Sequence, residues 1–155
     1  VTPLKVSEVL AGKGVVGLVL AFGVGALTLL VNGGLTGQNL SVLVVLAVAS
    51  VMCVEIGLLV GSAVPSMTVL FSVWKSGGII LFAPAILFLF PGVPEWIAMA
   101  FPTYYFMGPL YDLVVSGEPL ADQLVELLVA VAICAVLVPP AGILARRMEQ
   151  RLSRA

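Results

Sequence analysis

Few side chains in this sequence are equipped for chemistry, and two stand out because they are charges inside otherwise apolar runs. Glu55 lies within Ser41 to Gly61, and Lys75 within Thr68 to Phe90. A charge at the centre of a membrane helix costs about 2.5–3.5 kcal/mol on the insertion scale, and each Val, Leu or Ile returns about 0.3–0.6 kcal/mol. The runs therefore still insert, but the charges need a partner or a task. Glu55 stands six residues before the end of its run and Lys75 seven after the start of the next. At ~1.5 Å per residue both sit ~9–10 Å deep on adjacent antiparallel helices. This predicts an interhelical ion pair, the alternative being a titratable site on a transport path with Glu55 as proton carrier. Glu126 falls near the outer end of the last apolar run, within reach of the interface.

Other chemistry is narrowed by what is missing. The chain has no His, which excludes Ser-His-Asp and Cys-His catalysis and His-based zinc sites. Cys53 and Cys134 both lie in long apolar stretches and read as small packing residues instead of a metal or disulfide pair. Asp112 follows Tyr111 as in some intramembrane aspartyl proteases, but no second membrane-embedded Asp in a Gly-x-Gly-Asp setting exists to share its proton. An enzyme is not expected, and neither is a metal site.

The elements that carry these residues are set by composition. Of 155 residues, 61% are apolar and 10% charged, with a mean hydropathy of +1.23. Soluble domains run at about 45–50% apolar and ~25% charged, so this chain belongs in a bilayer. Its net charge of -1 gives no reason to expect a nucleic-acid partner. Four runs approach the ~20 residues needed to cross ~30 Å of hydrocarbon, at about 14–31, 41–61, 68–90 and 120–144. They are apolar throughout instead of alternating, which predicts helices and excludes a barrel. The expectation is an all-α, polytopic transmembrane bundle spanning 14–145.

Basic residues orient it. Lys5 and Lys13 precede the first run, and Arg146, Arg147, Arg151 and Arg154 form a basic tail over 146–155. The segment Pro91 to Asp122 holds Glu95, Asp112, Glu118 and Asp122 without a Lys or Arg. By the positive-inside rule both ends are cytoplasmic, which four crossings require. Asn32-Gly33-Gly34 should end the first span and Ser62 to Ser66 should make a tight inner turn. Pro84 and Pro139-Pro140 should kink their helices. Gly17, Ala21 and Gly25, and also Gly57 and Gly61, would allow close helix approach.

Two flanking segments carry further information. Residues 1–13 form an amphipathic lead-in in which Ser7 is a suitable N-cap with Glu8 just inside the helix. It suits contact with a soluble partner, or simply with anionic lipid through its lysines. The segment 91–119 is too long for a tight loop and too apolar for an exposed domain. Prolines divide it into a short helix, Pro94 to Phe101, and a longer one, about Thr103 to Ser116, ended by Gly117. At ~21 Å the second piece is too short to cross, which suggests an outer re-entrant hairpin, or a pair lying flat on the outer leaflet. Trp96, Phe101, Tyr104, Tyr105, Phe106 and Tyr111 would form its interfacial aromatic belt.

Taken together, the lead-in Thr2-Pro3-Leu4, Glu8 and Gly12-Lys13, followed after two runs, an inner turn and a third run by Pro94-Glu95-Trp96 and Phe101-Pro102-Thr103-Tyr104-Tyr105, resembles a known pattern. It is similar to the C-terminal portion, helices three to six, of the permease subunit of type-2 ABC exporters, a family of drug, antibiotic and polysaccharide exporters. The resemblance runs the length of the chain, which opens on Val1 and reads as a piece of a longer protein whose first two helices precede it. It implies that Leu4, Lys5, Glu8 and Lys13 couple to a separate ABC ATPase subunit, and that a second permease copy completes the substrate path. It also implies placement in a prokaryotic cell membrane and alternating access driven by the ATPase. With no Gly-x4-Gly-Lys-Ser/Thr in the chain, it is expected to bind no cofactor, ATP and Mg²⁺ being used by the partner. Lys75 is not demanded by the family pattern. The competing readings are a small ion-coupled carrier or channel oligomer built around Glu55, and a non-transporting membrane scaffold.

Overall fold

The computed structural model describes the backbone of residues 6–35, 37–64, 66–90, 92 and 94–152. The described residues form helices and connecting turns with no strand. Helix α1 runs Val6–Val31, α2 Asn39–Ala63, α3 Met67–Leu81, α4 Ala83–Leu89, α5 Glu95–Met99 and α6 Tyr104–Tyr111. A π-helical turn, Asp112–Ser116, extends α6, and a 3₁₀ turn, Leu120–Gln123, leads into α7, Leu124–Leu152. Among the described residues, three segments are long and apolar enough to cross a membrane: Glu8–Val31, Asn39–Ala63 and Leu120–Pro140.

The expected lead-in and first span are one continuous helix. Because α1 already includes Val6, Ser7 lies inside its first turn instead of capping it. Nothing polar interrupts the backbone ladder between the two segments, so the chain has no reason to bend there. Its other end stops where expected. Gly33 takes a positive φ of 71°, the Gly34 N–H donates to Leu29 O at 2.8 Å and Gly33 N–H to Leu30 O at 3.3 Å. This is the Schellman closure that needs a residue without a Cβ at the left-handed position.

The glycines of α1 bring it close to α2. A Cβ on Gly14 would stand 3.4 Å from Leu58, on Gly17 3.3 Å from Val54, and on Gly25 2.6 Å from Leu46. Those pairs step along two antiparallel helices in register. Gly57 and Gly61 do not serve this purpose, since a Cβ on either meets nothing within 4 Å.

The expected third span is divided. Pro84 has no N–H to give and is fully buried; Phe82 closes α3, its N–H donating to Gly78 O at 3.0 Å. Ala85 then donates to Phe82 O at 3.0 Å, so the ladder tightens by one residue and the carbonyl of Leu81 is released. Thr103 Oγ1 donates to that carbonyl at 2.7 Å. A neighbouring element thus satisfies a carbonyl released at the break, as membrane helices require. By contrast, α7 passes through Pro139 and Pro140 and remains helical to Leu152. The expected tail is therefore largely a helical extension up to that residue.

The core lies where α2, α6 and α7 meet. Val42, Val45, Ala49 and Met52 of α2 pack with Phe106, Leu113, Leu127, Ala130 and Cys134. Met52, Val45 and Ala130 are wholly inaccessible. Among the described residues, α3 packs appreciably against α4 and no other helix, and it has no buried residue.

Candidate functional site

The segment between α4 and α7 is built into the bundle. Chain direction reverses at Thr103, which is 3% exposed and joined to Leu81 as described. Thr103, Phe106 and Met107 share a cavity of about 130 Å³ with Cys53 and Ile56, residues near the middle of α2. From there α6 returns to the end of the bundle where α2 begins, and the Gln38 amide donates to Gly117 O at 3.1 Å. Gly117, at φ 71°, ends the hairpin, with the Glu118 N–H closing on Asp112 O at 3.0 Å. Pro109 lies inside α6 and the π-helical turn follows it.

Aromatic rings fasten this hairpin to α4. Phe88 stacks on Tyr111 at 5.0 Å between centroids and 7° between planes, and on Tyr104 at 6.3 Å and 17°. Gly108 sits between the two tyrosines on the same face of α6, so no side chain blocks Phe88. Tyr105 meets Tyr104 edge-on at 5.4 Å and donates its hydroxyl to Met99 O at 3.0 Å. The expected belt is thereby corrected in part. Tyr104 and Phe106 are core residues, whereas Trp96 is 71% exposed and Tyr111 39%. The sequence shows the aromatic content; it does not show that residues 104, 108 and 111 share a face already claimed by α4. Asp112 is half-buried at the end of α6. Beside the stack, Leu29, Phe82, Phe88, Leu110, Tyr111 and Val114 help line a wholly apolar groove of about 380 Å³.

No salt bridge joins Glu55 to Lys75, and the expected ion pair is corrected. The depth argument is sound but omits direction around the helix. The residues that line the gap between α2 and α3 are Cys53, Ile56 and Trp74. Glu55 points toward α7, where its carboxyl lies beside the Cys134 thiol, with Oε2 buried and without a hydrogen-bond partner. Lys75 is exposed on α3. Since successive residues turn ~100° around a helix, matching depth alone leaves the meeting face undetermined. Glu126, expected to reach the interface, is half-buried and also holds Oε2 without a partner. Gln123, one turn earlier, donates instead to Glu118 Oε2 at 2.9 Å.

At the opposite end, Glu8 and Lys13 are exposed on the first turns of α1. Leu4 and Lys5, the other two residues of the expected coupling segment, lie outside the described residues. Lys13 borders a cavity of about 400 Å³ closed by the end of α2 and the start of α3. The hairpin and the basic lead-in thus occupy opposite ends of the α1–α2 pair, with Glu55 between them.

Two residues that hold these sites together, Thr103 and Phe88, carry only weak sequence signals. A Thr ahead of an aromatic run reads as a helix cap. Its role as donor to Leu81 is visible only once Ala85 is seen to bond Phe82 O and leave the Leu81 carbonyl free. Comparison with protein-family models, with curated proteins and with solved structures gave no match for this chain.

Proposed function

We propose that this chain is the transmembrane permease subunit of an ABC exporter, which forms a substrate path with a second permease copy and is driven by a separate ATPase. The observation that carries the reading is the hairpin α5–α6, folded back between α4, α2 and α7 after an apolar segment broken at Phe82. In this reading α3 and α4 together make the third of four crossings, and the hairpin enters from the outer face without passing through. The continuous α1 supports it as well. A push on Glu8 at one end is carried by an unbroken helix along the whole α1–α2 contact, with no joint to absorb it. Exposed apolar faces on α1 and α3 fit a subunit that adjoins lipid and a second copy. Both chain ends then lie in the cytoplasm, and the chain itself hydrolyses nothing.

The test is co-reconstitution in liposomes with an ABC ATPase subunit that co-purifies with it. The chain should stimulate ATP hydrolysis, and Glu8→Lys should abolish the stimulation while leaving helix content unchanged. Unaltered hydrolysis with and without the chain would refute the reading.

A second reading rests on one observation, the unpartnered Oε2 of Glu55 inside a span. An ion-coupled carrier would use that carboxyl as its proton site. It requires that the chain alone acidify proteoliposomes in response to a pH gradient and that Glu55→Gln stop it. Proton flux equal in the variant excludes this reading.

A further inference from the structure

The cavity at the lysine end of the bundle has the composition of a lipid site. Its wall is mostly apolar, formed by Leu10, Leu58, Met67 and Leu70, and its polar edge holds Lys13, Ser62 and Ser66. At about 400 Å³ it falls in the range of small-molecule pockets, about 300–1,000 Å³. The sequence keeps it open. Gly57 and Gly61 stand one turn apart on the α2 wall, and a Cβ on either meets nothing within 4 Å, whereas the α1 glycines 14, 17 and 25 are closed by α2 side chains. The glycines that help helices touch and the glycines that leave a void are therefore different sets.

Position and charge select the occupant. Lys13 immediately precedes the uncharged stretch Gly14–Val31, so with that stretch in hydrocarbon its long side chain would carry the ammonium to the polar headgroup layer. The described residues that line the cavity include no acid. Glu8, five residues earlier on α1, is not among them. A ligand that matches an apolar wall under a single cationic edge carries a negative head and a hydrocarbon tail.

We propose that this cavity binds one anionic phospholipid, its headgroup phosphate held by Lys13 and the Ser62 hydroxyl and its acyl chain laid along Leu58, Met67 and Leu70 in the space left by Gly57 and Gly61. The proposal rests on α1 and α2 lying in a bilayer and not on the permease reading, so an ATPase that fails to respond leaves it standing.

Native mass spectrometry of the protein purified in detergent tests it, with phosphatidylglycerol, phosphatidylcholine or inorganic phosphate added at equal concentration. Phosphatidylglycerol should give one retained adduct about tenfold more abundant than phosphatidylcholine, and phosphate alone none. Lys13→Gln should reduce the phosphatidylglycerol adduct about tenfold, to the phosphatidylcholine level. Gly57→Leu, which fills the wall and keeps the charge, should reduce both lipids; Gly61→Leu replaces it if its helix content by circular dichroism departs from wild type. Equal adducts for the two lipids, retention in Lys13→Gln, or retention in the filled variant would each overturn the proposal. So would an inorganic phosphate adduct of matching abundance, which would mark a plain anion site.

Discussion

Helices α2 and α3 flank the same short turn and are both strongly apolar, yet they have opposite environments. α2 buries Val42, Val45, Leu46, Ala49, Ser50 and Met52, while α3 buries none of its residues and leaves Phe71 72% and Trp74 52% exposed. Hydropathy states that a segment avoids water; it does not state whether protein or lipid replaces the water. In a bilayer the apolar effect does not favour one over the other, and packing quality decides. α2 has small residues and glycines of α1 to receive it, and α7 on its other side. α3 turns Phe71 and Trp74 outward and packs appreciably only against α4.

This contrast can be broken by substitution, with thermal unfolding in detergent as the measure. The largest effect is expected at Met52, which is fully enclosed: Met52→Ala should cost about 2–5 kcal/mol, as large-to-small core changes do. Gly25→Leu should come next, at about 1–3 kcal/mol, because Leu46 already fills the space its side chain would need. Thr103→Val should cost about 1 kcal/mol, since it leaves the carbonyl of Leu81 without its donor. Its sharper signature is loss of protection from hydrogen exchange in α5 and α6 while α2 stays protected. The smallest effect belongs to Phe71→Ala on α3, within about 0.5 kcal/mol, as for surface positions. A cost at Phe71 equal to that at Met52 would mean that α3 is packed within the same subunit, and the contrast would fail.

Much of this arrangement can be read from the residues in order. The helix ends at Gly33 and Gly117, the disturbance at Pro84, the glycine stripe of α1 and the division of 91–119 at its prolines all follow from local chemistry; Pro139 and Pro140, which α7 passes through, show that a missing N–H alone does not fix the outcome. What fails is information carried by direction and by distant neighbours. Glu55 and Lys75 lie at matching depth, but the face of α2 that holds Glu55 is turned to Cys134. Ser7 looks like a cap because capping residues are recognised by type, and the helix that overruns it is stabilised by continuity with the span. Gly57 and Gly61 have the same spacing as a packing motif and border a cavity instead, because no side chain of α1 or α3 comes within 4 Å of where their Cβ atoms would stand. Tyr104 and Phe106 look interfacial by composition and are buried because α6 is wedged into the core.

Site-specific photo-crosslinking in native membranes addresses the proposed role most directly, with the crosslinker placed in turn at Glu8 and at Trp96, the two ends of the molecule. Capture of a nucleotide-hydrolysing subunit from position 8 and not from position 96 is the predicted result. No ATPase captured from position 8, or one captured from position 96, would contradict the permease assignment and its orientation together.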